Sequence, residues 1–189
     1  MGIVDNARIV DGSSIRVGDV LIGLASSGLH SNGYSLARKI LAQSGLKGTD
    51  IFPGTQKTVC DVFLEPTTIY VESIRSLMRD LKIKGMAHIT GGGFYDNIPR
   101  AIPSQVGVQI QFGSWDMPPI FPWLAEQGEL SWPEMLQIFN CGIGFVLVVQ
   151  PDIVEEVMSR LKAMQVPAWQ IGNVERLAPD QEDRVTVVM

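Results

Sequence analysis

The sequence predicts one α/β (α+β) domain, a layered α/β/α arrangement with partial ferredoxin-like topology, and three observations carry that reading. Short runs rich in Val, Ile and Leu interleave with stretches of helical periodicity, without a strict βαβ alternation. The C-terminal order strand, helix, strand, strand matches part of a ferredoxin-like unit. The 189 residues suffice for one sizeable core, and no repeat or low-complexity segment divides them. Residues 1–189 are therefore read as a single domain.

Gly2–Val10 reads as a strand closed by the turn Asp11-Gly12-Ser13. A chain that enters a strand at once suggests a piece of a longer protein. Asp19–Ala25 is apolar throughout its middle and predicts a buried strand. Ser31 or Asn32 can cap a helix over Ser31–Gln43, whose Tyr34, Ala37, Ile40 and Leu41 share a face and which Gly45 stops. Leu46–Asp61, punctuated by Pro53 and Gly54, reads as a loop. Thr67 or Thr68 precedes a helix over Ile69–Leu81, and Ile83–Ile89 reads as a strand. A short helix over Phe94–Ala101 should end early at Pro99. Val106–Phe112 alternates as a half-buried strand does, and Pro118–Gln127 and Pro133–Phe139 read as short helices. Gly142–Val149 is a strand, Asp152–Met164 an amphipathic helix, and Ala168–Glu175 and Arg184–Met189 are closing strands.

The formal net charge of −5 argues against general binding to nucleic acid or an anionic membrane, which needs a basic surface. The longest strongly apolar stretch, Cys141–Val149, is far short of the ~20 residues that span a bilayer. The two cysteines, Cys60 and Cys141, show no metal-ligand spacing and are read as buried reduced thiols of a cytoplasmic protein. The four tryptophans are read as core or interface packing.

Two glycine-rich loops hold the chemistry, and each carries one of the only two histidines. The first is Ala25-Ser26-Ser27-Gly28-Leu29-His30-Ser31-Asn32-Gly33-Tyr34-Ser35, and the second is His88-Ile89-Thr90-Gly91-Gly92-Gly93-Phe94-Tyr95-Asp96-Asn97-Ile98-Pro99-Arg100. Each follows an apolar run and precedes a helical pattern. Free backbone N–H groups at such a junction favour an anion, so a phosphorylated ligand is implied. The first loop is equally a tight turn with a capped helix. Three glycines in a row point to positive φ, to close approach of another group, or to a hinge. His88 is a candidate acid, base or phosphate contact, and equally a satisfied core histidine. Arg100 suits a bidentate phosphate contact or a pair with Asp96 on its own helix face. No Walker, GxGxxG, zinc or Ser–His–Asp pattern is present.

The run Gly18-Asp19-Val20-Leu21-Ile22-Gly23-Leu24-Ala25-Ser26-Ser27-Gly28-Leu29-His30-Ser31-Asn32-Gly33-Tyr34-Ser35-Leu36 resembles the phosphoribosylformylglycinamidine cyclo-ligase family, the aminoimidazole ribonucleotide synthetases or PurM proteins. The resemblance continues through Glu65–Tyr70, Ala87–Arg100 and Phe139–Gly144. It implies the C-terminal domain of that two-domain family, whose N-terminal domain carries the acidic nucleotide signature and most of a homodimer interface. No counterpart of that signature is present. The resemblance further implies ATP- and Mg²⁺-dependent ring closure of formylglycinamidine ribonucleotide to aminoimidazole ribonucleotide in purine synthesis, in a cleft between the domains. Ser27, Gly28, His30, Ser31 and Asn32 would face that cleft, with His88, Thr90, Gly91, Gly92 and Gly93 opposite. His88 is then the first choice for polarising or protonating the reacting oxygen, His30 the second, and Arg100 a phosphate contact. ATP and Mg²⁺ are expected mainly on the absent domain. The competing readings are another member of the ATP-binding superfamily (formylglycinamidine ribonucleotide synthase, selenophosphate synthetase or the hydrogenase-maturation ATPase) and a non-catalytic assembly module. The hydrogenase protein would be expected to end in a reactive cysteine, where this chain has Val188-Met189.

Overall fold

A computed structural model describes residues 3–178 and 183–189. Six strands form one mixed sheet: β1 (Val20–Ala25), β2 (Gly85–His88), β3 (Val106–Gln111), β4 (Ile143–Val149), β5 (Ala168–Arg176) and β6 (Val185–Val188), in the order β2-β4-β1-β5-β3-β6. Both neighbours of β1, β4 and β5, are antiparallel to it. They therefore run parallel to each other with β1 between them, the split crossover of a ferredoxin-like unit.

Helices cover both faces, which gives the expected three layers. Leu21, Val146, Val148 and Ile171 belong to a core with α1 (Tyr34–Ser44), α2 (Val59–Phe63), α4 (Gly93–Asn97), α5 (Ile120–Gln127) and α6 (Trp132–Ile138). Val20, Ile22, Leu24, Leu147 and Val149 face the other core, which α3 (Val71–Leu77) and α7 (Val154–Ala163) close with Ile74, Leu77, Val157 and Leu161. Burial on both faces explains why β1 reads as a continuous apolar run rather than an alternating one. Trp115 and Trp123 are buried in the first core, and the Trp115 indole N–H donates to the Cys141 carbonyl at 2.8 Å. No helix among the described residues is long and apolar enough to cross a membrane.

Several local expectations are corrected. The strand expected over Gly2–Val10 is absent among its described residues. A single 3-10 turn, Asn6–Arg8, stands there, and Ile3, Val4 and Ile9 are exposed. Strand-like composition makes a strand only when the run joins a ladder, and among the described residues this segment pairs with no strand but lies along the end of α3 and the start of β2. Helix α1 begins three residues later than expected, because His30, Ser31 and Gly33 have φ of 51°, 60° and 67°. Gly33 is its N-cap, and neither Ser31 nor Asn32 caps it. The loop expected over Leu46–Asp61 contains the bridge Ile51–Thr58 and the start of α2, which Thr58 and Asp61 open with a capping box. Helix α3 is shorter than Ile69–Leu81, and Asp152 lies in a 3-10 turn that leads into α7. Of the two thiols expected to be buried, only Cys141 is. Cys60 sits on the outer side of α2 and is exposed.

Candidate functional site

Strand register brings the two glycine loops to one end of the sheet. β1 and β2 are both antiparallel to β4, so they run parallel to each other with β4 between them. Ala25, the last residue of β1, lies opposite Ile143, and His88, the last of β2, lies opposite Phe145. Both loops thus leave the sheet beside the first residues of β4.

The first loop is held by a buried side-chain amide. Asn140, fully buried between α6 and β4, accepts from Ser26 Oγ at 2.8 Å and from the Gly142 N–H at 2.9 Å through Oδ1. Its Nδ2 donates to the Gly28 carbonyl at 2.9 Å. His30 is 4% exposed. Its Nε2 accepts the N–H of Ser27 at 3.0 Å and of Thr68 at 3.3 Å. Ser27 Oγ lies 3.0 Å from the same nitrogen and donates to the Pro66 carbonyl at 2.6 Å. Backbone N–H groups can only donate, so Nε2 is the bare nitrogen and Nδ1 carries the proton. Nδ1 is buried and finds no hydrogen-bond partner among the described residues. Burial, and to a smaller extent the charge of His88, push the His30 pKa down to about 4. At neutral pH His30 is an uncharged acceptor. Ser31 is exposed, and Asn32 turns back to donate to the His30 carbonyl at 2.9 Å.

The second loop is built from glycine rather than from strained larger residues. Gly92 and Gly93 have φ of 91° and 55°. A Cβ on Gly93 would overlap the Leu136 carbonyl, and one on Gly92 would overlap Asp96. Gly91 is different: no atom lies within 4 Å of where its Cβ would be, so the fold does not require glycine there. Asn97, 7% exposed, plays the part that Asn140 plays in the first loop. Its Nδ2 lies 2.8 Å from the Gly93 carbonyl and 3.2 Å from that of Gly91, and its Oδ1 accepts from Thr90 Oγ1 at 3.2 Å.

His88 is exposed at the end of β2. Tyr70 stands between the histidines, with ring centroids 6.1 Å from His30 and 6.4 Å from His88, and its hydroxyl donates to the Ala25 carbonyl at 2.6 Å. Burial raises the Tyr70 pKa, which keeps the phenol protonated. Gly144 on β4 makes this packing possible, because a Cβ there would overlap the Tyr70 hydroxyl and the His30 ring. Beside β2, a cleft of about 290 Å³ is lined by His88, Asn97 and Arg100 on one side and by Val10–Gly12 on the other. Arg100 is exposed and makes no ion pair with Asp96. A second cleft of about 330 Å³ borders Ser27 and Gly28.

The structure thus places Ser27, Gly28 and His30 at one side of the sheet end, and His88, Thr90 and Gly91–Gly93 at the other, joined through Tyr70. The sequence assigns no role to Asn140, Asn97 or Tyr70, although all three fall in the segments that carry the family resemblance. The available signal was polarity out of place: Asn140 lies in an otherwise apolar run, and a buried amide must find hydrogen bonds. Among the described residues no group of three His, Cys, Asp or Glu could hold a metal ion.

The layered fold, with paired glycine loops at one sheet end, defines the PurM-like α/β class. The sequence matches the family described as AIR synthase related protein, C-terminal domain, over residues 16–181, and the chain belongs to that family. It is 62% identical over 187 residues to a phosphoribosylformylglycinamidine cyclo-ligase of Nitratidesulfovibrio vulgaris, covering 99% of this chain and 53% of that protein. A protein of the same name from Oleidesulfovibrio alaskensis is 61% identical with the same coverage. The chain spans about half the length of these relatives. Among solved structures, thiamine-monophosphate kinase from Stenotrophomonas maltophilia superposes with a TM-score of 0.63 at 14% identity, over 97% of this chain and 54% of that one. The hydrogenase maturation protein HypE of E. coli gives 0.59 at 22%, over 94% and 48%. These two likenesses establish the fold alone.

Proposed function

We propose that this chain is the single C-terminal, substrate-cleft domain of a phosphoribosylformylglycinamidine cyclo-ligase. The observation that carries the reading is the convergence of both glycine loops on one end of the sheet. In the reaction, the formyl amide oxygen of formylglycinamidine ribonucleotide takes the γ-phosphoryl group of ATP, and ADP leaves. The amidine nitrogen then bonds to the formyl carbon, the carbon–oxygen bond breaks, and phosphate departs with that oxygen. The amidine gives up a proton as the ring closes.

His88 is the residue of this half suited to hold or deliver a proton at the reacting oxygen, because its ring faces solvent at the sheet end. His30 positions the first loop instead, since its Nε2 is already occupied by two backbone donors. Gly91 leaves backbone open to a phosphoryl group, Thr90 and Ser27 offer hydroxyls, and Arg100 is free to contact a phosphate. Mg²⁺ is assigned to the other half, and no step runs through it here. That half also supplies most of the ATP site, the dimer contacts and the closure that excludes water. The isolated chain is expected to be inactive. A helix-terminus contact contributes at most ~2 kcal/mol, whereas micromolar binding needs about 8 kcal/mol. The reading places the protein in the cytoplasm.

The test is steady-state formation of aminoimidazole ribonucleotide by the full-length protein. Replacing His88 by Ala should lower kcat by roughly 10²-fold or more with an unchanged unfolding midpoint. Unchanged turnover removes His88 from the mechanism, and a full-length protein without cyclo-ligase activity removes the reading itself.

A further inference from the structure

The molecule has a net charge of −5, yet one cleft gathers cations. It measures about 850 Å³ and lies between the N-terminal segment and the stretch that runs from the end of α3 to the start of β2. Five of the chain's fifteen Lys and Arg residues line it: Arg8, Arg75, Arg79, Lys82 and Lys84. The acidic residues of its wall are Asp5 and Asp11. Lys84 is held by Asp19 at 2.6 Å, with side chains 11% and 4% exposed. Arg75, Arg79 and Lys82 make no ion pair among the described residues.

Helix chemistry explains one of these charges. A cation in the last turn of a helix faces carbonyl ends that favour it, and Arg75 occupies that turn of α3. Arg79 and Lys82 lie beyond the helix, Lys84 leads into β2, and Arg8 comes from the opposite wall. Unpaired like charges around one concavity raise its local potential against the field of an acidic protein. A long polyanion would still meet that overall field, whereas a compact, highly charged anion would meet mainly the cleft. The volume lies within the range of small-molecule sites. Ile9, Met78 and Leu81 add an apolar wall. Oligophosphate is the chemistry that matches several converging cations at this scale, whether as a bare chain or as part of a nucleotide.

We propose that this cleft binds an oligophosphate group, with Arg75, Arg79 and Lys82 as its principal contacts. The site lies at the opposite end of β2 from His88, and it does not rest on the cyclo-ligase reading.

The experiment is a titration of the chain with inorganic tripolyphosphate and, separately, with ATP in the absence of Mg²⁺, followed by backbone amide shifts at low salt. Saturable shifts across residues 75–84 are expected, with a Kd below about 100 μM that weakens several-fold as salt rises from about 50 to 300 mM. The exposed double variant R75Q/R79Q should lose roughly ten-fold in affinity while its circular dichroism stays unchanged. Tighter binding of ATP would support the site with its apolar wall engaged, and equal binding would support it as a site for the phosphate chain alone. Shifts confined to Ser27–Gly33 and His88–Phe94, no saturation by about 5 mM, or an unaltered Kd in the double variant would overturn the proposal. So would tighter binding of a glutamate-rich peptide than of either phosphate, which would make the cleft a protein-docking surface.

Discussion

The two loops solve the same problem by opposite means. The first, Ser26–Gly33, places non-glycine residues at positive φ, at His30 and Ser31, and holds them with a buried polar network centred on Asn140. The second, Thr90–Gly93, takes its positive φ from Gly92 and Gly93 and is braced by Asn97. In the first loop the histidine is part of the brace: buried, neutral and occupied. In the second it stands exposed at the rim, with the Tyr70 and Phe145 rings beside it. The lesson is that two histidines in similar glycine-rich settings take different parts because one packs under the loop and the other beside it.

The comparison can be broken by substitution, and Gly93→Ala should be the most damaging change. It adds a Cβ that overlaps the Leu136 carbonyl at a φ that L-residues avoid, and should cost about 3–5 kcal/mol in urea unfolding. A cost under about 1 kcal/mol would mean that the second loop is not locked by its glycines. Asn140→Ala comes next. It strands Ser26 Oγ, the Gly142 N–H and the Gly28 carbonyl in the interior, for about 3 kcal/mol. A much smaller loss would show that the first loop does not depend on its network.

His30 sharpens the contrast through pH. Its folded pKa of about 4 lies below the ordinary value of 6.5. The unfolded chain therefore binds a proton that the folded chain refuses. The resulting stabilisation is fully present above pH 6.5 and is lost as pH falls toward 4, about 3 kcal/mol in all. Unfolding free energies measured across that window should show this loss in the parent chain and not in His30→Gln. Parallel profiles would remove His30 from the brace. The smallest effect is expected at Gly91→Ala, within about 0.5 kcal/mol, because open space surrounds that position. The same change in the full-length protein should raise the KM for ATP or for formylglycinamidine ribonucleotide if Gly91 admits a phosphoryl group.

Much of this was legible in the sequence where the signal is local. The β1 run, the α7 stripe of Val157 and Leu161, and both glycine loops stand out because periodicity and turn chemistry act over a few residues. The misplaced strand at residues 2–10 shows the limit: Ile3, Val4 and Ile9 have strand-like composition, but their described neighbours join no strand of the sheet and these side chains stay exposed. Asn140 illustrates the limit at the site. Its partners Gly28 and Ser26 are 112 and 114 residues away in the chain, and no local pattern announces a contact of that range.

The sequence alone determined the layered α/β class, the two glycine-rich loops and, through motif resemblance, the family. These rest on short-range spacing and on residue types that few other structures require. Only the tertiary structure decided which histidine is buried, which of the three glycines is dispensable, and that cations from separate segments share one cleft. Those properties depend on the register of β1 and β2 against β4 and on the packing around it, and long-range contact of that kind leaves no mark on the neighbouring sequence.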